Sequence, residues 1–260
     1  MKRSYQYGFS ERGLGMYDVR ARERKARTMV AVIGDYMARP LNGMSLLNVG
    51  GSTGIIDNYL ADHFGSVCGI DIDEPAIRHA QKSYNKTNLR FLVGDALNLE
   101  FAPNTFDVVI CSHIYEHVTD PQRMMDQIFR VLKPGGVCYF AAGNRLMLNE
   151  PHYNLPLLSA LPRAIAHLYI RAAGKAKFYY EKHLTYWGLR RLTQRFELHD
   201  FTAEIVRRPK AYGVDYMIRP HTAKAAVAKL IVEYFRWLSP GYIWLLEKPE
   251  AEPRKLFTSG

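Results

Sequence analysis

Leu46-Leu47-Asn48-Val49-Gly50-Gly51-Ser52-Thr53-Gly54 is the stretch on which the fold is decided. Strand-compatible residues run into three glycines among five positions, and helix-compatible residues resume at Ile55. This is the pattern of a buried strand that ends in a tight turn. Glycines there remove Cβ atoms where a ligand must lie against the backbone, and the next helix offers free N–H groups at its N-terminus. Such a turn can cradle a nucleotide-type ligand, although an ordinary strand-to-helix connection uses the same residues. The G-x-G-x-x-G spacing of nicotinamide sites is not met, because Ser52 and Thr53 follow Gly50-Gly51.

Further units follow at regular distances. Val67-Cys68-Gly69-Ile70-Asp71 reads as a second buried strand ending in a carboxylate, placed to accept hydrogen bonds from ribose hydroxyls. Leu89–Val93 leads into Gly94-Asp95-Ala96, and Phe106–Ser112 leads into His113-Ile114-Tyr115-Glu116-His117. Arg130-Val131-Leu132-Lys133-Pro134-Gly135-Gly136 closes a helix and opens a strand over Val137–Ala142. Ile55–Phe64 and Pro75–Tyr84 fit short helices between the strands. Strand and helix alternating in this way imply a parallel sheet with helices on both faces and ligands at the carboxyl ends of the strands.

In this order the motifs resemble those of class I S-adenosylmethionine-dependent methyltransferases. The closest likeness is to the ubiquinone/menaquinone-biosynthesis-like, type 11 subgroup, with D-x-G-x-G-x-G, V-x-G-x-D, G-D-A, F-D and R-V-L-K-P-G-G. The resemblance covers roughly residues 45–145. It implies a doubly wound, mostly parallel seven-stranded α/β sheet of Rossmann-like form with the last strand antiparallel, S-adenosylmethionine as cofactor, and methyl transfer as activity. It also implies a role for each matched residue. Asn48, Gly50, Gly51, Ser52 and Gly54 form the cofactor turn, Asp71 binds the ribose and Ile72 packs on the adenine. Asp95 accepts from the adenine amine, Ala96 contacts the ring through its backbone, and Ser112 lies near the methionine. Two residues depart from the pattern. Asn48 stands where the family has an acid, and Ser52 replaces the middle glycine. A serine is expected to be tolerated if its φ stays below zero.

The acceptor side is less defined. His113 and His117 follow the fourth strand; in a helix they would share a face, and a histidine there could take a proton from a hydroxyl. With Glu116 they echo a metal motif, but no third ligand is in sight and no metal is expected. Residues 143–195 read as an insertion that carries acceptor specificity, with His152 and Tyr153 as further catalytic candidates. Phe196–Val206 fits the sixth strand and Tyr242–Glu247 the seventh. A second insertion, 207–240, contains the apolar stretch Thr222–Leu238, read as a core-facing helix or else as a lid for a membrane or an apolar acceptor. The resemblance implies that residues 1–40 form an arm and a helix over the cofactor site, where Tyr5, Tyr17 or Arg20 could reach it, the alternative for each being a docked helix with a solvated basic face. The methyltransferase domain then spans 41–248, and 249–260 is a loose tail.

Charge is distributed unevenly. Residues 1–40 hold nine basic and four acidic groups, residues 41–150 eight and twelve, and residues 151–260 eighteen and nine. The basic flanks suit an acidic acceptor or an anionic membrane surface, or else remain a solvated face. Nucleic acid is disfavoured, since no N-P-P-Y-type tetrapeptide and no appended RNA-binding module is present. The three cysteines fall inside strands and read as core residues in a reducing compartment. With neither a membrane-length apolar run nor a secretory leader, the chain reads as cytoplasmic, with peripheral membrane contact open to it. The expected acceptor is a small or lipid-linked metabolite such as a saccharide, a quinone-like ring or an isoprenoid. An RNA methyltransferase and a catalytically silent cofactor-binding protein are the alternatives.

Overall fold

The structure, a computed structural model, describes residues 6–12 and 14–250. Four parallel strands form its first half: β1 (Ser45–Val49), β2 (Ser66–Asp71), β3 (Leu89–Val93) and β4 (Phe106–Ser112). The second half adds β5 (Leu132–Gly143), a small hairpin of β6 (Asn149–Glu150) and β7 (Leu155–Pro156), then β8 (Glu197–Asp200) and β9 (Gly241–Glu247). The main sheet has seven strands in the order β3-β2-β1-β4-β5-β9-β8. Only β9 runs against its neighbours, pairing antiparallel with both β5 and β8. The mostly parallel, doubly wound sheet with an antiparallel last strand is therefore present.

Helices cover both faces. One core packs α5 (Pro121–Val131) and α7 (Tyr186–Leu192) against the sheet through Met124, Ile128 and Leu189. The opposite core packs α2 (Val19–Met37), α3 (Ile55–Leu60) and α8 (Thr202–Arg207) through Met29, Ile33, Leu60 and Ile205. β1 and the middle of β4 are buried on both sides, which is why Val108–Cys111 reads as an unbroken apolar run and β1 is interrupted only by Asn48 after Ser45. Side-chain caps set the helix starts: Asp18 accepts from Ala21 N at α2, Asp73 from Ala76 N at α4 (Glu74–Ser83), and Asp120 from Arg123 N at α5. A short helix, α1 (Phe9–Arg12), precedes them.

Several elements differ from the sequence expectation. β5 begins five residues before Val137, at Leu132. The sixth strand, β8, stops at Asp200, whose Oδ1 accepts the Thr202 N–H at 2.9 Å and turns the chain into α8. Residues 113–117 form a turn, not a helix, with His113 at φ 56°. The helix expected at 222–238 exists as α9 (Ala223–Tyr234), but it is not core-facing. Only Ala225 and Val232 are buried, while Val227, Leu230 and Tyr234 are more than half exposed. Its alanines give little apolar area to bury, and α8 covers only the Val232 edge. The insertion after β5 carries its own small core, built by α6 (Arg163–Ala172) with Leu155, Leu158, Ile170 and Tyr179. The tail expected at 249–260 lies outside the described residues from 251 onward. No helix among the described residues is long and apolar enough to cross a membrane.

Candidate active site

A cavity of about 590 Å³ opens at the carboxyl ends of β1, β2 and β4. Its floor is the β1–α3 turn. Gly50 N and Gly51 N both donate to the Ile70 carbonyl, at 2.8 and 2.9 Å, which pins the turn to β2. Gly50 has φ 80°, and a Cβ there would stand 2.2 Å from Ile114 Cδ1, so the position admits only glycine. Ser52 also lies in the left-handed region, at φ 53°, contrary to the expectation that it would avoid it. Its N–H donates to Asp71 Oδ2 at 2.8 Å, and that bond holds the strained conformation.

Asn48, Gly50, Ser52, Asp71, Ile72, Asp95, Ala96 and Ser112 all line the cavity. Gly51 and Gly54 do not; they shape the turn beneath it. Asp71 is set by two backbone donors, Ser52 N and Asp73 N (2.9 Å to Oδ1), and burial pushes its carboxyl up against those bonds. With about four acceptor sites on a carboxylate, capacity remains for a pair of hydroxyls. Asp95 is oriented by the Leu97 N–H, 2.9 Å from its Oδ1.

The N-terminal segment closes one wall. Ser10 N donates to Asp73 Oδ2 at 2.7 Å and the Thr53 hydroxyl donates to the Met16 carbonyl at 2.7 Å, so Gln6, Phe9 and Met16 sit at the rim. Arg22 and Lys25 enter the cavity from α2. Arg20 and Tyr17, singled out from the sequence, do not line it; Tyr17 packs edge-on against His79. Tyr5 lies outside the described residues. Arg22 is held by its own burial below the usual guanidinium range, with Asp57 and Asp71 pulling the other way.

The opposite wall is made of imidazoles and carboxylates. His113, His117 and His152 line the cavity, and the His117 and His152 rings meet edge-on at 4.9 Å. Behind them are Glu116, Glu150 and Glu181, all buried. Burial opposes ionisation of Glu150, but hydrogen bonds from His152 and His183 overcome it and hold the carboxyl down at about 2. Burial would lower His152, yet the Glu150 carboxylate 2.6 Å from its Nδ1 raises it overall. Burial depresses His117 to about 4. Tyr153 packs against Tyr179 and does not line the cavity. The sequence reading missed Arg22, Glu150, Glu181 and His183. For Glu150 and His183 the one available signal was the density of His, Glu and Tyr in the insertion.

Comparison with known proteins gives a consistent picture. Residues 47–140 match the family described as methyltransferase domain. The ubiquinone biosynthesis O-methyltransferase of Coxiella burnetii is 34% identical over 109 residues, 40% of this chain and 46% of the relative. That of Pseudomonas entomophila is 35% identical over 124 residues, 46% of this chain and 52% of the relative. The match thus spans about half the length of these curated relatives. Among solved structures, an S-adenosylmethionine-dependent methyltransferase from Methanosarcina mazei superposes with a TM-score of 0.55 at 20% identity, covering 85% of this chain and 98% of that one. Another from Mesorhizobium loti gives 0.52 at 16%, covering 84% and 97%. At such identities the likeness is one of fold.

Proposed function

We propose that this chain, whose residues 47–140 match a methyltransferase domain, is a class I S-adenosylmethionine-dependent methyltransferase that methylates a hydroxyl of a small or lipid-linked metabolite. The observation that carries the reading is one cavity with a glycine turn, Asp71 and Asp95 at one end and an imidazole–carboxylate wall at the other. The cofactor end fits its ligand. Gly50 and Ser52 bring the backbone of the turn to the cavity, Asp71 offers ribose acceptors, and the desolvated Arg22 guanidinium suits a carboxylate. Asn48 supplies a neutral acceptor where the family pattern has a charged one.

When bound, the cofactor supplies a methyl group already activated by positive sulfur. What remains for the protein is alignment, exclusion of water and removal of the acceptor's proton. Asp71 and Asp95 would hold the nucleoside, Arg22 the methionine carboxylate, and Ser112 would lie beside the methionine. The wall of His113, His117 and His152 faces the acceptor and provides nitrogen atoms that can receive a hydroxyl proton. A hydroxyl acceptor also agrees with the O-methyltransferases among the relatives.

Calorimetric titration with S-adenosylhomocysteine, wild type beside Asp71→Asn, tests the reading. Each charge-assisted hydrogen bond is worth about 1.5–3 kcal/mol, so the variant should bind at least about tenfold more weakly. Absence of binding in the wild type would refute the cofactor assignment.

A further inference from the structure

The acceptor wall contains a side-chain group that cofactor binding does not need. Glu150, at the end of β6, is fully buried, with Oε1 2.6 Å from His152 Nδ1 and 3.4 Å from His183 Nε2. Its Oε2 accepts the Tyr153 N–H at 3.0 Å. His183 comes from the far end of the insertion, and its side chain is 1% exposed. Its Nδ1 lies 3.5 Å from the Tyr115 hydroxyl. That hydroxyl gives its one hydrogen to the Gly143 carbonyl at 2.6 Å, so Nδ1 of His183 is the donor toward Tyr115. Nε2 faces a Glu150 carboxylate oxygen, a position that a proton or a metal ion can bridge.

The group has room for a metal. Donors each about 2.1 Å from a tetrahedral ion lie roughly 3.4 Å apart, the separation between His183 Nε2 and Glu150 Oε1, while His152 Nδ1, hydrogen-bonded to that oxygen at 2.6 Å, would draw back to ligate. The donor atoms of Glu150, His152 and His183 all fall within 4.8 Å of one another. A second observation points the same way. Glu116, whose side chain is 0% exposed, has only His113 Nδ1 near its carboxylate, 3.5 Å from Oε1, and it clusters with His117 and the same His152.

We propose that Glu150, His152 and His183 bind one divalent transition-metal ion whose open coordination position faces the cavity. Two imidazoles and a carboxylate suit zinc, iron or cobalt. The Tyr115–His183 contact is the outer hydrogen bond that fixes the tautomer of a ligating histidine. His152, which lines the cavity and has a side chain 22% exposed, is the way in. Three protein ligands with one position left open is the arrangement of catalytic rather than structural sites. A hydroxyl oxygen of the acceptor would occupy that position; this last role rests on the methyl-transfer reading, whereas the ion site does not.

The test is titration of the chelator-stripped full chain with Co²⁺, read by visible absorption, with S-adenosylhomocysteine affinity measured on the same samples. The expected result is a saturable site of one equivalent, displaced by Zn²⁺. It should be weakened by at least about a hundredfold in His152→Ala and His183→Ala, and by about tenfold in Tyr115→Phe. His152 is partly exposed, so its variant should fold and keep its S-adenosylhomocysteine affinity. Wild type that binds S-adenosylhomocysteine but shows no Co²⁺ bands, or equal Co²⁺ affinity in His152→Ala, overturns the site. Co²⁺ binding without S-adenosylhomocysteine binding supports the ion site and removes the methyl-transfer reading.

Discussion

The two ends of the cavity are built by different means. At the cofactor end, β1, β2 and β4 deliver Asn48, Asp71 and Ser112 from adjacent strand ends, and the turn between β1 and α3 is held by backbone bonds to Ile70. At the acceptor end the groups are side chains from separate loops, Glu116 from the turn after β4, Glu150 from a two-residue strand and His183 from the end of the insertion. One end is positioned by the sheet, and the other by its own polar network. Substitutions in the first should therefore change stability and cofactor affinity together, while those in the second should separate them.

The largest effect is expected at Gly54. Its φ is +78°, and an added Cβ would lie 2.7 Å from Ala80 Cβ and 2.8 Å from the Phe91 ring. A left-handed conformation costs a branched residue about 1–2 kcal/mol, and overpacking roughly 1–3 more. Gly54→Val should lower stability by about 2–5 kcal/mol and the melting temperature by about 5–15 °C, read by calorimetry. A melting point equal to that of wild type would mean that the turn is not pinned as described.

Asp57 should act in the opposite direction. Its fully buried carboxylate sits behind the turn, where a Cβ on Gly51 or Gly69 would come within 2.9 or 2.6 Å of it. Burial pushes it up to about 7, against Asn48 and Arg22, which pull it down, and with Asp71, which adds to the rise. A carboxyl raised in the fold costs nothing below its unfolded value near 4; the cost then grows with pH until it levels off above 7. Asp57→Asn should therefore match wild type in stability at about pH 4 and exceed it by about 2–4 kcal/mol at pH 8. Parallel denaturant titrations at the two pH values decide this, and a gain that is equal at both would assign it to something other than charge.

At the other end, Glu150→Gln removes the charge that pairs with His152 and His183 and should cost about 1–3 kcal/mol. S-adenosylhomocysteine affinity should stay within about twofold of wild type, since none of the turn contacts involves Glu150. Glu150 is held at about 2, below its unfolded value, so its contribution is present above about pH 4.5 and lost as pH falls toward 2. The stability gap between variant and wild type should close over that window. If cofactor affinity fell together with stability, the division between the two ends would fail.

The same difference explains what could be read in advance. Asp71 and Ser112 end strands and Asp95 follows one closely, so apolar runs closed by a glycine or an acid were enough to bring them to one rim. His113 and His117 would share a face only in a helix, but a positive φ at His113 bends the segment, and the His117 ring meets that of His152. The sequence offered no third ligand beside Glu116 and His117, because His152, which clusters with them, lies in the insertion after β5, far along the chain. Arg22 was passed over for Arg20, since helical periodicity says which residues share a face but not which face meets a cavity.

The smallest effect tests the one point where the turn departs from its expected backbone. Ser52 at φ 53° bears the left-handed penalty of about 1–2 kcal/mol, offset by the N–H bond to Asp71. Glycine would remove the penalty and keep the bond, but it would return about 0.5–1 kcal/mol through the added freedom of the unfolded chain. Ser52→Gly should therefore gain only about 0.5 kcal/mol, or about 1–2 °C by calorimetry, with S-adenosylhomocysteine affinity unchanged. Ser52→Val, which keeps the N–H but adds a branched Cβ, should lose stability and affinity together. If valine were tolerated as well as glycine, the left-handed turn would not be what holds Asp71 in place.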